Sequence, residues 1–94
     1  MPTKNADYNV ALDVDGVEYT LLPQARKMEV TNEGSTDLLV NVPNLHGEEF
    51  DLVNPGDTGY YEDVLNGIDS FTMKAADSNG ATGSFRVTSI HTII

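Results

Sequence analysis

The sequence predicts an all-β fold: a single small antiparallel β-sandwich, Ig-like or jelly-roll-like, with seven to eight short strands. Three observations carry this. Val, Ile, Thr, Tyr and Phe supply nearly a third of the 94 residues, and such side chains suit a pleated, half-buried surface. Glycine, asparagine and proline recur between short apolar runs, which is turn chemistry. No segment shows helix-period apolar spacing, while turn signals return at roughly ten-residue intervals, the cadence of a sandwich or small barrel.

Tyr8, Val10, Leu12 and Val14 alternate with Asn9, Ala11 and Asp13, and Val17, Tyr19 and Leu21 alternate with Glu18 and Thr20. With Asp15-Gly16 between them, these runs predict a β-hairpin closed by a type I′ turn, because Asp and Gly best tolerate the positive φ that both central positions need. Pro23 has no amide to donate and is expected to end the second strand, with Gln24 to Lys27 as a crossing loop. A strand from about Lys27 to Thr31 follows, Met28 and Val30 inward, and then the turn Asn32-Glu33-Gly34-Ser35. Leu38, Val40 and Val42 share one face of the next strand, with Leu39 on the other, and Pro43 stops it. Phe50 and Leu52 form a short strand that breaks at Asn54-Pro55-Gly56-Asp57, where proline presets the second turn position and glycine takes positive φ at the third. Tyr60 and Tyr61 resume extended chain and Glu62 to Gly67 is a loop. Asp69, Phe71 and Met73 alternate with Ser70, Thr72 and Lys74. Asp77-Ser78-Asn79-Gly80 then turns into a last strand from about Gly83 to Ile94. Residues 1–7 read as an N-terminal arm and 8–94 as the sandwich domain.

Fifteen acidic residues against five basic ones give a net charge of -10. That balance argues against nucleic acid, whose phosphates need clustered Lys and Arg, and against an anionic membrane surface. The absence of cysteine removes disulfides, thiolate metal sites and thiol nucleophiles together. The first residues lack the apolar stretch of a secretory signal, and no run approaches the roughly 18 apolar residues of a membrane-spanning helix. A chain that opens at Met1 with no linker composition at either end is expected to be an autonomous polypeptide.

No reaction is declared. His46, beside Gly47, and His91, in the last strand, belong to no catalytic signature, and two isolated histidines do not make a zinc site. The chain is expected to be non-enzymatic, without cofactor or metal. Asp13/Asp15 and Asp77/Asn79 each place two oxygen side chains at alternate positions before a glycine, as a calcium loop does. The glutamate such a loop needs six residues later is replaced by Leu22 and Arg86, so strand-joining turns are the expected reading. Tyr60 and Tyr61, with Tyr8 and Tyr19, offer rings for a sugar platform, but packing is the expected use. A small core and an apolar end, His91-Thr92-Ile93-Ile94, predict contacts with other subunits. The interface candidates are Pro2, Thr3, Lys4, Arg26, Lys27, His91, Ile93 and Ile94.

Val30 to Val40, Phe50 to Asp57 with its Asn-Pro-Gly-Asp turn, and Ile68 to Val87 share a rhythm of strand, Asn-Gly turn, strand, Pro-Gly turn, strand. In that rhythm the chain resembles the small β-sandwich accessory proteins of tailed bacteriophage virions, which include capsid decoration or cement proteins and spike-base or head-fibre proteins. The resemblance implies a virion structural protein on the capsid exterior. Its partners would be the major capsid protein lattice and copies of itself, with a trimer as one symmetric arrangement. The other expectations from the sequence are a small glycan- or calcium-binding module and a phage tail or spike-base component.

Overall fold

Residues 3–63 and 65–89 are described by the structure, a computed structural model. Seven strands and one helical turn run along them: β1 (Thr3–Leu12), β2 (Val17–Asn32), β3 (Leu38–Asn41), α1 (Pro43–His46), β4 (Asp51–Val53), β5 (Thr58–Glu62), β6 (Ile68–Ala75) and β7 (Ala81–Ser89). All pairings are antiparallel, and the fold is the small all-β, sandwich-like one expected.

The longest strand builds both layers. Val17 to Thr20 of β2 pair with Met73 to Ser70 of β6, whereas Lys27 to Thr31 pair with Glu62 to Thr58 of β5 and, on the opposite edge, with β7. The ladder is irregular between Thr20 and Ala25, and there β2 passes from one layer to the other, as strands that turn sandwich corners do. One layer is β1-β7-β2-β5 and the other is β2-β6-β3-β4. Pro23 therefore does not end the strand, and Gln24 to Lys27 are not a loop. The proline lies in the stretch of β2 between Thr20 and Ala25 where the ladder with β6 is irregular, and a proline within a sheet is best tolerated at such an irregularity.

The expected hairpin at Asp15-Gly16 is not formed. β1 pairs with β7 instead, Val10 to Leu12 opposite Gly83 to Ala81, so residues 13–16 cross between layers. Gly16 has φ +76 but no described non-glycine residue has positive φ, which rules out a type I′ turn. Asp13 closes the bend by accepting the amides of Asp15 (2.9 Å) and Gly16 (3.0 Å) on its Oδ1. β1 runs across residue 7, where the arm was expected to meet the domain. Thr3 to Ala6 pair with Thr88 to Phe85 as part of β1, with a ladder irregularity between Ala6 and Val10. The Asn54–Asp57 turn forms as expected, Asp57 N–H donating to Asn54 C=O at 2.9 Å with Gly56 at φ +83.

The core lies between the layers. Met28, Val30 and Tyr61 from the first face Phe71, Met73, Leu38, Val40 and Val53 from the second, all buried. Tyr19, Phe71 and Phe85 form a ring cluster with centroids 4.8 to 5.1 Å apart. In β4 the buried residue is Val53, while Leu52 and, just before the strand, Phe50 are exposed. The side chain of Asn32 is also buried. It donates to the carbonyls of Thr36 (2.8 Å) and Val53 (2.9 Å) and accepts Gly34 N–H (3.0 Å), joining the end of β2 to β4 and to the turn between β2 and β3.

Candidate functional site

Register places side chains on the two outward faces. On the β1-β7-β2-β5 layer, one row across β7, β2 and β5 reads Arg86, Glu29, Tyr60, and in the next Lys27 stands opposite Glu62. On the other layer the outward positions are Glu18 and Thr20 of β2, Ser70, Thr72 and Lys74 of β6, Leu39 and Asn41 of β3, and Leu52 of β4. Of the fifteen acids, only Glu18, Glu29 and Glu62 hold outward register positions. The rest lie in turns, at strand ends or where the ladders are irregular. A chain at -10 thus presents two broad faces on which acids and bases balance, with its negative charge at the rims.

The basic residues are unevenly spread. Arg26 and Lys27 of β2 and Arg86 of β7 fall within a few rows at one end of the first layer, the backbone of Lys4 pairs in the same stretch in the alternate row with Val87 and Met28, and Lys74 stands alone on the second layer. Four of the sequence-derived interface candidates, Thr3, Lys4, Arg26 and Lys27, are brought together there, with Thr3 and Lys27 flanking Thr88. Lys27 and Arg86 are exposed and Arg26 is half-buried. β7 leaves this end toward the C-terminus. Pro2, His91, Ile93 and Ile94 lie outside the described residues.

The side of the sandwich between β4 and β5 is closed by polar contacts. Tyr61 reaches across from β5 and donates its hydroxyl to Asp51 Oδ2 at 2.8 Å. His46 packs edge-on against the Tyr61 ring, with centroids 5.6 Å apart, and its Nδ1 accepts Val42 N–H at 3.3 Å. This histidine braces a joint. The turn that positions it, α1, was not expected from the sequence, although Pro43 at its first helical position suits such a start. Burial, then the hydrogen bond to Asp51 and its negative charge, push the Tyr61 hydroxyl well above the ordinary phenol pKa. The folded state therefore favours the neutral phenol. Its contribution is complete below about pH 10 and is lost as pH rises above that. Tyr61→Phe should cost about 1 kcal/mol near neutrality and flatten the alkaline fall in stability. Denaturant melts of both proteins between about pH 8 and 12 check this, and parallel curves would contradict it.

The other sequence-derived sites resolve locally. Asp77 Oδ1 accepts Asn79 N–H at 2.9 Å, so Asp77, like Asp13, serves its own turn. Among the described residues no three of His, Asp or Glu group as a metal site would require. Tyr19 and Tyr61 are inside the sandwich, and the side chain of Tyr8 lies outside the described part. Among the described tyrosine side chains Tyr60 is the exposed one, at 74%. Shallow surface hollows of about 340 Å³ beside β4 and β5 and about 370 Å³ beside α1 are lined by edge and loop residues rather than walled by converging polar groups. Compared with known protein families, characterised proteins and solved structures, the chain matches none.

Proposed function

We propose that this chain is a non-enzymatic structural protein of a bacteriophage virion. It decorates the outer capsid surface and cements neighbouring shell subunits. The observation that carries the reading is the placement of Arg26, Lys27 and Arg86, three of the five basic residues, at one end of the β7-β2 ladder, where they balance the acids of the same rows, Glu29 and Glu62, in an otherwise acidic chain. That end is the lattice side. Adhesion there joins Lys27 and Arg86 to acidic groups on the shell, while the acidic rims face solvent and keep a protein displayed at high local concentration soluble. β1 is the outermost strand of the layer and continues the contact. Cementing works by linkage: a protein that binds the assembled lattice and not its separated subunits stabilises the lattice in proportion to its occupancy.

Particle composition tests this. Purified virions should contain the chain in numbers comparable to the shell subunits. Lys27→Gln with Arg86→Gln, which sets no acid against the cross-strand Glu62 and Glu29, should abolish binding to stripped shells while shifting the melting curve little. A handful of copies at one vertex would move the protein to the tail or spike base. Absence from virions would reject the proposal.

A further inference from the structure

β5 leaves one edge of the first layer open. Asn32 N–H donates to Asp57 C=O and Asp63 N–H donates to Arg26 C=O, and the register of β2 with β5 carries the same pattern through Gly59 and Tyr61. Backbone groups of antiparallel strands alternate in direction, so the amides and carbonyls of Thr58, Tyr60 and Glu62 point away from β2. Among the described residues no strand pairs with them. The other open edges are shorter or broken. β1 is irregular between Ala6 and Val10, the Val17 to Thr20 part of β2 is four residues and β4 is three, whereas β5 runs five residues without a register shift. It also lacks the lysine, proline or bulge that commonly blunts an edge.

We infer that this edge takes up an extended segment of another protein, with lysine or arginine at every second position, as an added strand. Side chains of such a strand alternate between two sides. One set stands beside Thr58, Tyr60 and Glu62 on the outer face. There the Tyr60 ring is 74% exposed and Glu62 is exposed, so a cation meets a ring face and a carboxylate. The other set enters the hollow of about 340 Å³ between β5 and β4, where Val53 and Gly59 are among the lining residues and suit small apolar side chains. Charge selects the partner. Asp57 and Asp63 lie just past the ends of β5 and Asp51 lies across the hollow. With Glu62 these make four acids, against two bases in the same surroundings, Lys27 opposite Glu62 and Lys74 over the Phe50 ring. A second copy is disfavoured: β5 paired with itself about Tyr60 would set Asp57 of each copy against Asp63 of the other, and facing like charges destabilise a strand pair. A basic segment neutralises the same acids. The inference holds whether or not the chain sits on a phage shell.

Amide NMR of the full chain, titrated with the end-capped peptide Thr-Lys-Val-Lys-Val-Lys-Thr, tests it. The amides of Thr58, Tyr60 and Glu62 should shift and exchange with solvent more slowly. Glutamate in place of the three peptide lysines should weaken binding about tenfold or more. N-methylation of the lysine amides, which face the edge, should weaken it as much, whereas N-methylation of the valine amides, which face away, should leave it unchanged. Tyr60→Ala should weaken binding about threefold through the lost ring and leave the melting curve in place. Shifts confined to another part of the chain, equal binding of the glutamate peptide, or a peptide blocked through its valine amides rather than its lysine amides would each overturn the inference. So would shifts of these same amides with protein concentration in the absence of peptide, which would mark a second copy as the occupant.

Discussion

Asn32→Ala is expected to lower the melting temperature by about 15 °C, equivalent to roughly 3 kcal/mol in a domain of this size. Asn32 is 1% exposed and its amide serves three backbone groups on two separate segments. Alanine leaves the Thr36 and Val53 carbonyls and the Gly34 amide without these partners, and the Val53 carbonyl is in the buried interior where water is a poor substitute. The backbone of Asn32 is engaged too, donating to Asp57 C=O and accepting from Gly56 N–H, both at 3.0 Å, so the damage spreads to the β4–β5 turn. Asn32→Asp separates volume from donors. It keeps the size and the acceptor for Gly34, but at neutral pH it sets a carboxylate against two carbonyl oxygens. Protonation restores a donor, so the folded state raises the pKa of this aspartate, and its stability should be highest in acid and decline as pH rises through the folded-state value. Thermal melts against pH check both variants. A loss under about 4 °C for Asn32→Ala would show that the amide is dispensable.

Gly16→Ala is expected to cost about 3 kcal/mol, against about 1 kcal/mol for Gly56→Ala. Both glycines have positive φ, +76 and +83, and each pays the left-handed penalty of roughly 1–2 kcal/mol that a Cβ incurs. Their surroundings differ. A Cβ on Gly56 would meet nothing within 4 Å, whereas on Gly16 it would stand 2.5 Å from both the Met73 carbonyl oxygen and Lys74 Cβ. That distance forces residues 13–16 away from β6, where Ala75 N–H donates to Asp13 C=O at 2.8 Å. Equal losses in chemical denaturation would mean that the crossing does not press against β6.

Local patterns are legible in the sequence where one short-range cause decides the outcome. Alternation correctly places Met28, Val30, Phe71 and Met73 inward, because a strand buried on one face writes its period into the chain. The Asn54–Asp57 turn is equally readable, since proline and glycine impose their dihedral angles without help. The failures share a cause as well. Asp15-Gly16 between two alternating runs looks the same whether the runs pair with each other or with distant strands. Pro23 announces a missing donor but not whether a partner was ever opposite it. Phe50 and Leu52 look like core residues by type, and only the register that sets Val53 against Leu38 and Leu52 against Leu39 turns Leu52, with Phe50 two residues before it, to the outer face.

By itself, then, the sequence determined the strand chemistry, the turn positions, the acidity and the absence of thiols, all of which depend on residue type and near neighbours. Only the tertiary structure decided which strands pair, that β2 serves both layers, that Asn32 is a buried joint rather than an ordinary turn residue, and that Arg86 comes to lie beside Arg26 and Lys27 at one end of a sheet. These are matters of register between segments far apart in the chain. A pleated strand carries the same two-residue period whichever partner it meets, so the choice of partner is made by packing of the whole core and leaves no local trace.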